Sequence, residues 1–166
     1  RNFTVIKYFF FEKIPTKFRK SEDKGARMFK KLDHIAIAVR NTEDALTFYQ
    51  DTLKLPLLHS EVLAGPGVRL TNLDMGNVEL QLVEPLTADH PIAKFLDERG
   101  EGLHHLCWNS EDDIETAMQN LNSFGLAAEA NEPHSAPNGG SAAFVDPKRT
   151  RGVLWEITSK NSTTTG

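Results

Sequence analysis

A weak internal repeat constrains this chain more than any other feature. Residues 32–55 read LDHIAIAVRNTEDALTFYQDTLKL, and residues 103–126 read LHHLCWNSEDDIETAMQNLNSFGL. Both open on Leu-x-His and an apolar run. Both then pass through a cluster of Asx, Ser or Thr with acids and continue at helical spacing. His34 and His105 stand at matched positions, 71 residues apart. Self-similarity of this kind marks one structural unit used twice.

Each copy reads as a strand followed by a helix. Residues 32–39 are short, apolar and partly β-branched, as a strand requires. Asn41–Asp44 supplies helix-start chemistry, and Ala45, Phe48, Tyr49 and Leu53 recur on one helical face. In the second copy Ser110–Asp113 takes the capping role, with Ile114, Met118, Leu121 and Phe124 as the stripe. Extended segments follow each helix, at 57–62, 68–74 and 78–83, then at 127–129, 141–145 and 153–157. Turn signals at Gly65-Pro66-Gly67, Gly76-Asn77 and Asn138-Gly139-Gly140 separate them. Residues 91–99 read as a helical linker.

The fold class expected is therefore α+β: two βαβββ modules whose curved mixed sheets enclose a metal-binding cavity. A sheet covered on one face by its own helix leaves the other face bare, so the bare faces are expected to pack on each other. Module one spans 29–88, the linker 89–101 and module two 102–158, with an extension over 1–28 and a tail over 159–166.

Side chains alternate along a strand, so residues two apart share a face. Ile35, Ile37 and Val39 are the bulky set that packs on the helix, which turns His34, Ala36 and Ala38 toward the cavity. The same parity brings Glu79 and Gln81 inward from the fourth strand, His105 and Cys107 from the first strand of module two, and Glu156 from the last. His104 falls on the opposite, helix-packed face. A buried unpaired carboxylate such as Glu156 costs several kcal/mol, which a positive partner or a metal relieves. Two imidazoles, an amide oxygen and a carboxylate (His34, His105, Gln81 and Glu156) suit one divalent ion, Zn²⁺, Co²⁺, Ni²⁺ or Mn²⁺. Taken singly, each has a blander reading as a structural histidine or a hydrogen-bonded buried amide. The matched pattern in both halves is what favours the metal.

Composition excludes other classes. With 39% apolar and 25% charged residues the chain reads as a soluble globular protein. No stretch reaches the roughly 20 apolar residues of a membrane helix. Residues 1–28 hold eight Lys/Arg against three acids, so on a chain of net −4 the remainder carries −9. An acidic body argues against nucleic-acid binding. Cys107 is the single cysteine, so no intrachain disulfide forms and a packed thiol is the expected role. The compartment expected is the cytoplasm, or the mitochondrial matrix if residues 1–27 are a transit peptide.

Over residues 30–158 the chain resembles the vicinal oxygen chelate superfamily, and within it the methylmalonyl-CoA epimerase family. The stretches that carry the resemblance are LDHIAIAV (32–39), Phe48-Tyr49, Gly67-Val68, LQLVEPL (80–86), HPIAKFL (90–96), GEGLHHLCW (100–108), Asn131-Glu132-Pro133, FVDPK (144–148) and GVLWEI (152–157). The resemblance carries the metal ligands over to His34, Gln81, His105 and Glu156. It implies interconversion of (R)- and (S)-methylmalonyl-CoA by 1,1-proton transfer through a metal-stabilised enolate. Glu156 is the candidate for one acid/base and Glu79 for the other. It also implies an acyl-CoA substrate, with Lys94, Arg99, Lys148, Arg149 and Arg151 available to its phosphates, and a homodimer. Glyoxalase I, a lactoylglutathione lyase, uses Glu at the second ligand position, so Gln81 favours the epimerase. A non-catalytic binding protein of the same fold is the remaining alternative, and the complete ligand set argues against it.

Overall fold

The computed structural model describes residues 27–126, 128, 130, 132–136 and 140–159. The first module runs β1 (Phe29–Ala38), α1 (Thr42–Leu46), β2 (Leu57–Leu63), β3 (Val68–Asp74) and β4 (Glu79–Pro85). The linker helix α2 (Pro91–Arg99) follows. The second module is β5 (Gly102–Ser110), α3 (Ile114–Ser123), β6 (His134–Ser135), β7 (Ser141–Val145) and β8 (Trp155–Ser159).

The helices begin where the capping residues stand. The Asn41 side chain accepts from the Asp44 amide at 3.0 Å, and Asp113 accepts from the Thr116 amide at 2.8 Å. His90 Nδ1 caps α2 by accepting from the Ile92 amide at 3.1 Å, ahead of Pro91 in the first turn. Each side chain satisfies an amide that the helix leaves without a partner. Beyond Leu46 the helix widens into a π-helical turn over Thr47–Thr52, where the Leu53 amide reaches back five residues to the Phe48 carbonyl.

All eight strands lie in one sheet, in the order β2-β3-β4-β1-β5-β8-β7-β6. The order is two-fold: β4-β1 pair in parallel, β8-β5 pair in parallel, and the halves meet at an antiparallel β1-β5 pairing. The duplicated βαβββ architecture is as the repeat implies. The halves, however, join edge to edge through β1 and β5 rather than bare face to bare face. Hydrogen bonds between the two first strands satisfy edges that would otherwise be left open.

The helix-facing parity holds in both modules. Ile35, Ile37 and Val39 pack with Leu73, Leu80 and Leu82 beneath Ala45, Leu46 and Tyr49. Beneath α3, Ile114, Ala117, Met118 and Leu121 pack on Ala143, Val145 and Ile157. On the opposite face Ala36 and Ala38 meet Val68, Leu70 and Val83, and Ile92 and Leu96 of α2 close that end. Fully burying one such leucine contributes about 1.5–3 kcal/mol.

Two irregularities interrupt the β1-β5 ladder beside the histidines. Pairing passes from Leu32↔Trp108 to His34↔Cys107, and from Ala36↔His105 to Ile37↔Leu103. The extra residue is Asp33 in the first case and His104 in the second, so each bulge directly precedes a histidine of the repeat. Bulges re-aim side chains. That is why His104 does not keep the helix-side position expected from parity: its ring lies 5.0 Å from those of both Phe95 and His105.

Other expectations fall at the edge of what is described. Residues 127 and 129 of the expected strand lie outside the described residues, while Ala128 forms an isolated bridge to Val145. The stretch after Pro133, read as loop, contains the short strand β6. The extension over 1–28 and the tail from 159 lie almost wholly outside the described residues.

Candidate metal centre

The registers show how the site is assembled. Ala36, two residues after His34, pairs with Gln81, and Cys107, two residues after His105, pairs with Glu156. Gln81 and Glu156 are therefore equivalent under the two-fold, as His34 and His105 are. Paired residues point the same way from a sheet, so all four side chains share one face. Small Ala36 lies between Gln81 and His105 and leaves that face open.

His34 Nε2 lies 3.4 Å and His105 Nε2 3.2 Å from the same oxygen, Oε2 of Glu156. The two imidazole rings are 5.5 Å apart. Both Nε2 atoms are buried, and neither makes an oriented hydrogen bond. Buried polar atoms are ordinarily satisfied. Two orphaned imidazole nitrogens converging on a carboxylate form a donor set that fits a divalent cation.

The remaining nitrogen of each histidine is held by its bulge. His34 Nδ1 lies 3.3 Å from Asp33 Oδ2, and His105 Nδ1 lies 2.8 Å from His104 Nδ1. Such contacts fix ring orientation and the tautomer that leaves Nε2 facing the site. Burial disfavours the charged form of His34, but Asp33 and Glu156 outweigh it and raise the group to about 9. Burial also works against the Glu156 anion, yet His105, His134 and His34 hold its carboxyl well below the usual range. Without metal the two therefore form an ion pair. His104 is pushed down to about 4 by burial and by His105, so it stays neutral beside its neighbour.

Glu156 is also contacted from outside. His134 Nε2 lies 3.4 Å from Oε1, and its ring stacks on Phe144 at 5.1 Å with 12° between planes. Phe144 packs edge-on against His105 at 5.4 Å. Cys107 sits in register between His34 and Glu156 and is fully buried. Burial and Glu156 drive its thiol far above the ordinary value, which removes it as a nucleophile.

Gln81 and Glu79 are joined by a residue that parity had not singled out. Asn72 of β3, in register with Gln81, is buried. Its Nδ2 donates to Glu79 Oε2 at 2.6 Å, and its Oδ1 accepts from Gln81 Nε2 at 3.3 Å. The available signal was an amide at the same parity as the apolar Val68 and Leu70 of its strand. Glu79 itself pairs with His34. One row of the sheet thus reads Glu79, His34, Cys107, Glu156, with a carboxylate at each end.

A duplicated βαβββ unit, each half contributing a histidine together with an amide or a carboxylate to a shared sheet face, defines the glyoxalase-like class. Residues 33–144 match the Glyoxalase/Bleomycin resistance protein/Dioxygenase superfamily. YqjC, an uncharacterized protein of Bacillus subtilis, is 38% identical over 127 residues, which span 76% of this chain and 90% of that one. Human mitochondrial methylmalonyl-CoA epimerase is 33% identical over 128 residues, covering 76% of this chain and 72% of that one. A structure of a Streptomyces coelicolor methylmalonyl-CoA epimerase variant, in complex with 2-nitronate-propionyl-CoA, is 30% identical with a TM-score of 0.73. It covers 81% of this chain and 96% of its own. The chain belongs to the Glyoxalase/Bleomycin resistance protein/Dioxygenase superfamily and, within it, to the methylmalonyl-CoA epimerase enzymes. Among the described residues, no helix is long and apolar enough to cross a membrane.

Proposed function

We propose that the chain interconverts (R)- and (S)-methylmalonyl-CoA by moving one proton at the carbon between thioester and carboxylate. His34, Gln81, His105 and Glu156 are the residues that hold one divalent ion. The observation that carries this reading is the row with Glu79 at one end, Glu156 at the other and His34 between them. Epimerisation needs a base on one side of the carbon and an acid on the other. The two carboxylates stand three strand spacings apart, roughly 14 Å between backbones at about 4.8 Å each, and extend toward the same space.

A divalent ion held by His34, Gln81, His105 and Glu156 would supply positive charge to offset the negative charge that builds when the proton leaves, the largest electrostatic demand of the reaction. The protein groups do the rest. Glu156, held anionic by three histidines, takes or returns the proton on its side. Glu79, kept in place by Asn72, serves the opposite side. Gln81 contributes no proton, because an amide is not a useful base. Lys94, Arg99, Lys148, Arg149 and Arg151 are the cations available for the phosphates of the CoA moiety. The nitronate-bound relative supports this reading, since a nitronate is planar at the carbon in question and carries its negative charge on oxygen, as an enolate does.

The test is proton exchange followed by NMR, with methylmalonyl-CoA in D₂O and protein loaded with, or stripped of, metal. Deuterium incorporation at C2 in the loaded sample alone is expected. No exchange, together with formation of lactoylglutathione from the methylglyoxal–glutathione hemithioacetal, would move the activity to the lyase.

A further inference from the structure

Gln81 stands where its two-fold equivalent, Glu156, brings a carboxylate. A carboxylate presents oxygen whichever way it turns, but an amide presents oxygen one way and N–H₂ the other. The site is useful to a cation only in the first orientation. We infer that Asn72 and Glu79 set that orientation, so that Asn72 is a positioning residue for the metal centre. This rests on the reading of His34, Gln81, His105 and Glu156 as one ligand set.

The polarity runs outward from the charged group. The Glu79 carboxylate accepts, so the side of Asn72 that faces it at 2.6 Å must be the Nδ2 donor. Asn72 is buried, and turning its amide over would set Oδ1 against the carboxylate. Its Oδ1 is then the atom that faces Gln81, and Gln81 must answer with Nε2, at 3.3 Å. That leaves Gln81 Oε1 turned away from Asn72, and it takes no hydrogen bond among the described residues. Ala36, lying in register between Gln81 and His105, offers only a methyl group and no donor to compete for it. One acid at the end of the row thereby dictates which atom of a neutral side chain meets the cation.

Among the described residues, the second module has no such relay. The residue equivalent to Asn72, in register with Glu156, is Phe144, and the one two residues before Glu156, as Glu79 is before Gln81, is Leu154. A carboxylate needs no polarity lock, and none is built there. Among the described residues, the relay occurs in the half where the ligand is an amide and not in the other.

The test is cobalt binding by titration and visible absorption, with thermal melts confirming that each variant folds. Asn72→Leu is expected to weaken cobalt binding ten- to a hundredfold and to alter the absorption envelope. Glu79→Gln replaces the one group that can only accept, so the amides of Asn72 and Gln81 are no longer held to one polarity and cobalt should bind more weakly. Combining Asn72→Asp with Glu79→Gln rebuilds the relay with reversed ends. The introduced amide donates to the introduced carboxylate, which accepts from Gln81. Cobalt affinity should return to within about threefold of the parent. Exchange at C2 should not return, because the acid is gone. Parental affinity and spectrum in Asn72→Leu would overturn the inference, as would a double variant no better than Glu79→Gln alone. Gln81→Leu separates the two levels of the argument. If it binds cobalt like the parent, the ligand reading falls and the relay with it. If it binds weakly while Asn72→Leu does not, only the relay falls.

Discussion

On the proposed ligand set, loading a metal expels a proton from His34. The group titrates at about 9 in the metal-free protein, because Asp33 and Glu156 outweigh the effect of burial. A ligand nitrogen must be free of its proton, so metal and proton compete for the same atom. At pH 7 the neutral form is about one molecule in a hundred, and apparent affinity is reduced by that factor, about 2.7 kcal/mol. Two results follow. Calorimetric titration with Zn²⁺ in buffers of differing ionisation enthalpy should return close to one released proton at pH 7. The dissociation constant should also fall about tenfold per pH unit from about pH 6.5 to 8.5. Asp33→Asn removes one of the two acids holding the charge, so the slope should flatten at a lower pH and fewer protons should appear at pH 7. A proton count near zero at pH 7, with affinity flat over the same interval, would refute the reasoning. His34 would then be neutral before the metal arrives, or would not be a ligand.

The same ion pair predicts the pH profile of the metal-free fold. The His34 contribution is complete below its ordinary value of 6.5 and is lost as pH rises through about 9. The Glu156 contribution is present above its ordinary 4.5 and is lost as pH falls through its lowered value. The two describe one interaction, worth on the order of 3 kcal/mol. Thermal melts of stripped protein should therefore be highest between 4.5 and 6.5, with the alkaline decline suppressed by added Zn²⁺. Glu156→Gln should lower exchange at C2 by about 10²–10⁴-fold, the range for a lost acid/base, and weaken metal binding as well. Full metal content with full activity in that variant would remove Glu156 from the mechanism. Gly67 has φ +72, and a Cβ there would meet Thr87 Cγ2 at 3.3 Å. Gly67→Ala should cost about 1–2 kcal/mol in urea denaturation without changing metal affinity, because the left-handed backbone is unfavourable for any L side chain.

Much of this molecule was legible in the sequence because its signals are local. The caps at Asn41 and Asp113, the linker helix beginning at Pro91 and the strand at Val68–Asp74 depend on neighbours within a few residues. The matched histidines were legible because the repeat prints them twice. Parity carried Gln81 and Glu156 to the same face. The join between the modules was not legible, since edge-to-edge and face-to-face assembly bury the same apolar positions. Parity also failed at His104, where a bulge adds one residue and alternation no longer holds. Asn72 escaped for a different reason: its role is a chain of donors and acceptors between two neighbouring strands, and no single strand reveals that.

The bulges at Asp33 and His104 bear on how such a molecule diverges after duplication. An extra residue before each histidine is a property of the backbone, inherited by both halves whatever side chain fills it. The side chain was then free to change: an acid touches one histidine, a neutral imidazole the other. Two copies with a common scaffold have thereby become chemically unlike at the point where they meet. A substrate carbon seated at that junction would be met by different groups from the two halves.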